Sequence, residues 1–321
     1  LRYGEGDCPL YGHYYPDQYP IVLDEKAGGG IIMAKQPTMD EIMHFGKKKL
    51  DYGKITRICL EIGMFIAAFA FLFPAFLTLL NSFKSDAEIA LNPLAWPQNF
   101  NFSNYIQAWK EINFPVVVGN TFVITALSTA GIILVSSMAA YILVRTRNKF
   151  SWALYFLFVF NMVVPFQTVM IPLNVTASNL NLKNVLGIIP IYIGLGCPLA
   201  VFMYHGFIKS IPVQIEESAA IDGASLITIF FRLVFPLLGP IHATVAILDV
   251  LWIWNDFLLP LIILPSRSTL QLAQHIFFGM YRQQFSLAMA SLVLSASPVV
   301  IFYLLLQKYI IKGVATGAVK G

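Results

Sequence analysis

Two short stretches of this chain carry residues whose types and spacing can do chemistry. Residues 249–256 read DVLWIWND inside a long apolar run. On a helix, Asp249, Trp252, Ile253, Asp256 and Pro260 share a face through three- and four-residue steps. A carboxylate at mid-membrane costs at least ~2.5 kcal/mol on insertion scales, so it turns towards a cavity or a partner helix. For Asp249 both readings stay open, a pathway ligand or a hydrogen bond to a neighbouring helix. Asn255 and Asp256 read as structural groups near the end of such a path. Residues 216–224, EESAAIDGA, place Glu216, Glu217 and Asp222 beside a run of small side chains. That pattern suits a thin acidic ridge entering a groove of a basic partner. It equally suits an interfacial helix lying flat with its acids in water.

Other chemistry has no sequence support. There is no GxxxxGK[ST] run to cradle phosphate, no HExxH and no GxSxG. Cys8, Cys59 and Cys197 stand far apart, without a CxxC pair or a histidine at ligand spacing, so neither a disulfide framework nor a metal site is expected.

The elements around these stretches are apolar. Of 321 residues, 57% are hydrophobic and only 12% charged, against about a quarter charged in ordinary soluble domains; mean hydropathy is +0.70. The net charge of +4 comes from basic residues lying between the apolar runs, which does not point to nucleic acid. About 20 apolar residues cross ~30 Å of hydrocarbon. Six stretches meet that length: 62–80, 116–144, 152–173, 185–208, 237–264 and 285–307. Pro74, Pro165, Pro190, Pro198, Pro260 and Pro298 are expected to interrupt all but the second, which instead carries small residues, STAGIILVSSMAAY, suited to close helix contact.

Orientation follows from Lys and Arg in short loops. Lys47, Lys48, Lys49, Lys54 and Arg57 precede the first stretch; Arg145, Arg147 and Lys149 follow the second; Lys209 and Arg232 follow the fourth; Lys308, Lys312 and Lys320 end the chain. The opposite connections hold Lys84, Lys110, Lys183, Arg267 and Arg282. Both termini and the Glu216 elbow are therefore expected on the cytoplasmic side. The expected fold is an all-α integral membrane protein with six transmembrane helices, N-in/C-in, over residues 55–321. Residues 1–54 form a polar segment expected to be poorly ordered. Its first 32 residues, ahead of Met33, read as upstream sequence with a mis-assigned start, a reading that N-terminal sequencing of the native protein decides.

Between the fourth and fifth stretches, Ser210 and Pro212 suit a helix start, Gly223 a left-handed stop, and Ser225 the cap of a second helix. The elbow is expected to be two short helices at an angle.

This elbow resembles the signature of permease subunits of ATP-binding-cassette importers, Glu-Ala-Ala, three residues, Gly, then Ile/Val-x-Leu-Pro. Glu217, Ser218 and Ala219 match the opening with Ser for the first Ala; Gly223 matches the glycine; Val234, Phe235 and Pro236 match the close with Phe for Leu. WIWNDFLLPLIIL from Trp252, GVATGAVKG from Gly313 and NFSNYIQAWKEINF from Asn101 resemble a narrower group, the sugar-uptake permeases related to the smaller maltose-transporter membrane subunit. The resemblance covers about residue 55 to the end. It implies that Glu216, Glu217, Ala219, Ala220, Asp222, Gly223, Ala224 and Pro236 couple to an ATPase, and that Thr316, Gly317 and Lys320 in the tail reach towards it. It implies a second homologous permease subunit, an ATPase dimer that holds ATP and Mg, and an extracytoplasmic solute-binding protein, in the inner membrane of a prokaryote. The chain itself is then non-catalytic and binds no cofactor.

A sugar fits the pathway candidates Asp249, Trp252, Asn255 and Asp256, since hydroxyls meet carboxylate and amide acceptors and the ring face meets Trp. The alternatives are an importer of a glycerophosphodiester or peptide, and an ion-coupled secondary transporter using Asp249 and Asp256. No inverted repeat supports the last. His242, Asn161 and Gln167 read as helix-packing or interhelical groups and Glu61 as solvated.

Overall fold

The computed structural model describes residues 54–146, 148–265, 268–279 and 282–318. The expectations for residues 1–53 and for Lys320 lie outside the described residues. Packing divides the chain into Leu1–Ala68 and Phe69–Gly321. Of the first unit the described part is the start of one helix, α1 (Lys54–Asn81), whose Met64, Phe65 and Ile66 are exposed.

In the second unit, α2 (Asp86–Leu91) starts with a capping box. The Ser85 side chain accepts from the Glu88 backbone N–H, and Glu88 reaches back to the Ser85 N–H. Beside it Lys84 is buried and donates to the carbonyls of Asn92 and Pro93 at 3.3 and 3.1 Å. Burial pulls its ammonium below the ordinary lysine value, against the opposing pull of Glu88. α3 (Ser103–Glu111) leads to α4 (Phe114–Arg145), whose 32 residues span ~48 Å. Its buried positions, Thr121, Ile124, Thr125, Ser128, Thr129, Ile132, Ser136 and Ala140, recur at three- and four-residue steps and are mostly small.

That small face packs along α7 (Ile188–Ile208), and α10 (Gly239–Asn255) leans on both. Gly196 of α7 lies so close that a Cβ there would meet Ile132 Cδ1 at 2.5 Å. The expected close helix contact of the second stretch is this α4–α7 pair. Isoleucines and aromatics fill the core around it: Ile132, Tyr141, Ile188, Tyr192, Tyr204, Phe230 and Ile253.

The six expected stretches are not six uninterrupted helices. Among the described residues, three helices are long and apolar enough to cross a membrane, Leu60–Asn81, Phe114–Arg145 and Ile188–Ile208. Two further spans exist only if bent pairs are joined. The third stretch is α5 (Lys149–Asn161) and α6 (Phe166–Asn179), bent by 103°. Pro165 sits extended at the break, and its ring also disfavours the helical region for Val164 before it. The other bent pair is α9 (Leu226–Leu237) and α10, at 74°; of the two, it is α10 that lies within the fifth stretch, 237–264. α10 then stops at Asn255, Asp256 is extended, and α11 (Leu258–Ile263) follows. Pro74, Pro198 and Pro298 lie inside continuous helices, and Pro190 falls in the first turn of α7, where its missing N–H costs no bond. α12 (Leu270–Gln274) and a two-residue antiparallel pair, β1 (Phe278–Gly279) with β2 (Arg282–Gln283), precede α13 (Phe285–Ala318).

The turn into α7 leaves no room for a side chain at Gly187, whose Cβ would meet the backbone of Leu182. Gly187→Ala is expected to cost roughly 1–3 kcal/mol, read as a lower thermal unfolding midpoint in detergent. Gly194→Ala, where a Cβ meets open space, serves as the control and is expected to leave the midpoint unchanged.

Candidate functional site

The elbow is α8 (Gln214–Ile221) followed by α9. Its turn is built as a paired closure. The Ala224 N–H reaches the Ala219 carbonyl at 3.0 Å and the Gly223 N–H reaches the Ala220 carbonyl at 3.0 Å. This geometry needs a left-handed residue at the turn, and Gly223 has φ +82°. Ser225 then caps α9 by accepting from the Thr228 N–H. Ser210 plays no such part at α8: its hydroxyl donates to the Phe207 carbonyl at 2.7 Å, and Val213 takes the cap position without a side-chain bond. Within α9 the turn Phe230–Val234 widens to a π-helix. Pro236 explains it, since its missing N–H leaves the Arg232 carbonyl without an i+4 donor.

The three elbow acids divide. Glu217 and Asp222 are exposed. Glu216 is buried and bound within the chain, because the last turn of α4 closes on it. Arg145 Nε donates to Glu216 Oε1 at 3.0 Å and to Oε2 at 3.2 Å; Arg145 Nη2 donates to Oε1 and, at 3.3 Å, to the Ile211 carbonyl; the Tyr141 hydroxyl donates to Oε2 at 2.9 Å. The Glu216 carboxylate is therefore held by its own chain rather than presented to a basic partner. No local signal links residues 71 apart, and in the sequence Arg145 reads only as a loop charge.

From this clamp a line of rings leads into the bundle. Tyr141 packs on Phe230 at 5.3 Å between centroids, Phe230 on Phe235 at 5.8 Å, and Phe235 on His242 at 4.3 Å. His242 bridges the Tyr204 hydroxyl at 2.7 Å and the Phe235 carbonyl at 3.0 Å, so it ties α9, α10 and α7 together. Around the elbow turn, Ile221 is 86% exposed and Ile227 69%, beside exposed Ala220 and half-buried Ala219 and Ala224.

The pathway candidates do not form one face. Because α10 ends at Asn255, Asp256 and Pro260 leave the helix that carries Asp249. Asp256 accepts from the Tyr192 hydroxyl at 2.9 Å and from the Leu258 N–H at 3.0 Å, capping the start of α11. Asn255 is exposed and donates to the Leu251 carbonyl at 2.8 Å. Trp252 is 40% exposed and meets the Tyr192 ring edge-on. Asp249 is 4% exposed, facing inward, and its Oδ2 has no hydrogen-bond partner among the described residues. The hydroxyls of Thr125, Ser128, Thr129 and Ser136 on α4 share that condition. Among the described residues no three His, Cys, Asp or Glu group as metal ligands. Thr316 and Gly317 lie in the last turns of α13.

Residues 131–316, which include the clamp, the elbow and α10, match the family model described as "Binding-protein-dependent transport system inner membrane component". The chain belongs to this family. Among its relatives is the probable starch degradation products transport system permease protein AmyC of Thermoanaerobacterium thermosulfurigenes, 39% identical over 77% of this chain and 91% of that protein. The melibiose/raffinose/stachyose import permease protein MelC of Bacillus subtilis is 36% identical over 80% of this chain and 94% of that protein. A solved bacterial ABC transporter involved in the import of the acidic polysaccharide alginate shares the fold, with a TM-score of 0.68 over 80% of this chain and 98% of the other at 23% identity. The resemblance carried by Glu217–Pro236 thus names the right family.

Removing one member of the clamp strands a buried charge. Arg145→Met is expected to cost about 3–5 kcal/mol, whereas Arg145→Met with Glu216→Met removes both charges and recovers most of the loss; a double-mutant cycle on thermal or denaturant unfolding in detergent checks both.

Proposed function

We propose that this chain is a membrane-spanning, non-catalytic subunit of an ATP-driven importer for a sugar or oligosaccharide. The observation that carries this reading is the elbow: a short helix closed by Gly223 at φ +82° and clamped through Glu216 to the end of α4. A rigid helix transmits displacement, which a loose loop does not. A separate ATPase dimer holding ATP and Mg docks on the exposed small and apolar ridge of Ala220, Ile221 and Ile227, with Glu217 and Asp222 facing its basic groups. Closure of that dimer pushes the elbow, and the push divides. One branch passes through Glu216 to α4, the other through Phe230, Phe235 and His242 to α10 and α7. The described helices, with α5–α6 and α9–α10 each joined as one span and α13 as the last, fit six spans with both ends in the cytoplasm. The basic residues of the Arg145 and Lys209 loops support that orientation. A second homologous permease subunit completes the pathway, an extracytoplasmic solute-binding protein delivers the solute, and residues 316–320 extend towards the ATPase.

The sugar rests on what the relatives' names say they carry. Trp252 and Asn255, both accessible, suit a ring face and hydroxyls; the buried Asp249 suits a polar contact between α10 and α4. Asp249→Asn is accordingly expected to leave sugar uptake within about twofold, and loss of uptake in a fully assembled importer returns Asp249 to the pathway. Single cysteines at Ala220 and Ser225 are expected to crosslink to the ATPase in the intact complex. Complete absence of crosslinks, or uptake that collapses with an uncoupler while ATP is maintained, overturns the coupling.

A further inference from the structure

The break between α5 and α6 holds a groove of about 490 Å³, lined by Leu157, Phe158, Phe160, Asn161, Val164 and Val169. Its volume lies in the range of small-molecule sites, about 300–1,000 Å³, and its make-up, apolar walls with one polar group, is theirs also. The 13 residues of α5 rise ~20 Å. Counted from the Lys149 end, that places the break some two thirds of the way across a ~30 Å hydrocarbon layer.

At that depth the groove has two features lipid does not tolerate. The first is backbone outside a regular helix. Met162 keeps helical angles, and the Met162, Val163 and Val164 N–H groups bond the Val159, Phe160 and Asn161 carbonyls at 3.2, 3.1 and 3.3 Å; Pro165 is then extended. Irregular backbone at membrane depth survives only inside protein or against a wet cavity. The second is a pair of amide side chains. Asn161 at the groove and Gln167 just past the break are both exposed, and among the described residues no side-chain bond holds either amide. An interhelical role within this chain would bury and pair them. Two turns further along α6, Asn174 Oδ1 is buried without a partner.

From these we infer that the α5–α6 break is a saccharide-binding subsite of the translocation pathway, with the Asn161 and Gln167 amides meeting sugar hydroxyls and Phe160 offering a face to the ring. The lining carries no charge, which favours a neutral polyhydroxylated ligand over an anion or a cation. Phe160 is 58% exposed, so its ring is available for stacking. Asp249, the sequence-level candidate, is turned into the chain's own core. This inference rests on the sugar-importer reading above.

The test uses the complete importer in proteoliposomes, with Cys8, Cys59 and Cys197 replaced by Ala and one cysteine at Asn161, Gln167 or, as a control, Phe156. A charged, membrane-impermeant methanethiosulfonate is expected to label Asn161→Cys and Gln167→Cys at least tenfold faster than Phe156→Cys. Saturating raffinose or maltotriose, whichever the native importer accumulates, is expected to slow that labelling at least fivefold. Asn161→Ala is expected to lower uptake at least tenfold, with partial recovery in Asn161→Gln. The second cysteine position keeps the test decisive if one variant does not assemble. A native importer that accumulates sugar while both cysteines stay unlabelled, as when the second subunit fills the groove, or unprotected, overturns the site alone. A native importer that accumulates no sugar from a panel of mono-, di- and oligosaccharides overturns the functional reading and the site's ligand class with it.

Discussion

The contact between α4 and α7 is the constraint on which the other elements depend. Two helices in a membrane gain little from hydrophobic exclusion, so their association rests on how closely their backbones approach. Here Ser, Thr, Ala and Gly line the approach, and Gly196 stands against Ile132 with no space for a further atom. α10 then lies against both helices, and α5 against α7. The same face buries the hydroxyls of Thr125, Ser128, Thr129 and Ser136, which have no hydrogen-bond partner among the described residues. The packing that makes the bundle close therefore also creates its buried polar seam.

The clamp uses that rigid pair. Tyr141 and Arg145 are one helical turn apart at the end of α4, so their two side chains reach the same Glu216 carboxylate. A buried ion pair contributes little net stability, since desolvation offsets attraction. Its effect here is geometric: it sets the angle at which α8 leaves the bundle. Gly223 and Ser225 set the angle at which α9 returns. The elbow is thus fixed at both ends, and the ring contacts of Phe230 and Phe235 link it to His242. Glu216 is used inside the chain, while Glu217 and Asp222 beside it stay exposed.

Much of this was legible in the sequence. The apolar stretches, the small-residue face of the second stretch, the left-handed Gly223 and the Ser225 cap follow from local rules; the pattern from Glu217 to Pro236 is legible as a resemblance to a known family. The breaks were legible only in part. Six prolines suggested interruptions, yet Pro74, Pro198 and Pro298 sit inside continuous helices. Neighbouring helices and local adjustment absorb a missing N–H at those positions, and nothing in the sequence says where they do so. Asp256 terminates α10 without a proline, by capping α11 and accepting from Tyr192, which is 64 residues away.

What the amino-acid sequence determined by itself is the solvent, the element type and the punctuation: which segments avoid water, which turns demand glycine, where a cap is available. These depend on residues within a few positions of one another. Only the tertiary structure decided which polar groups are used up inside the chain and which remain available. Glu216 looked like a surface acid and is buried; Asp249, open in the sequence between pathway and packing, is buried as well; Asn161 and Gln167 are exposed on this chain. The physical reason is that a polar group's role depends on its partner. Here that partner, or its absence, is set by helices that meet across long separations in sequence.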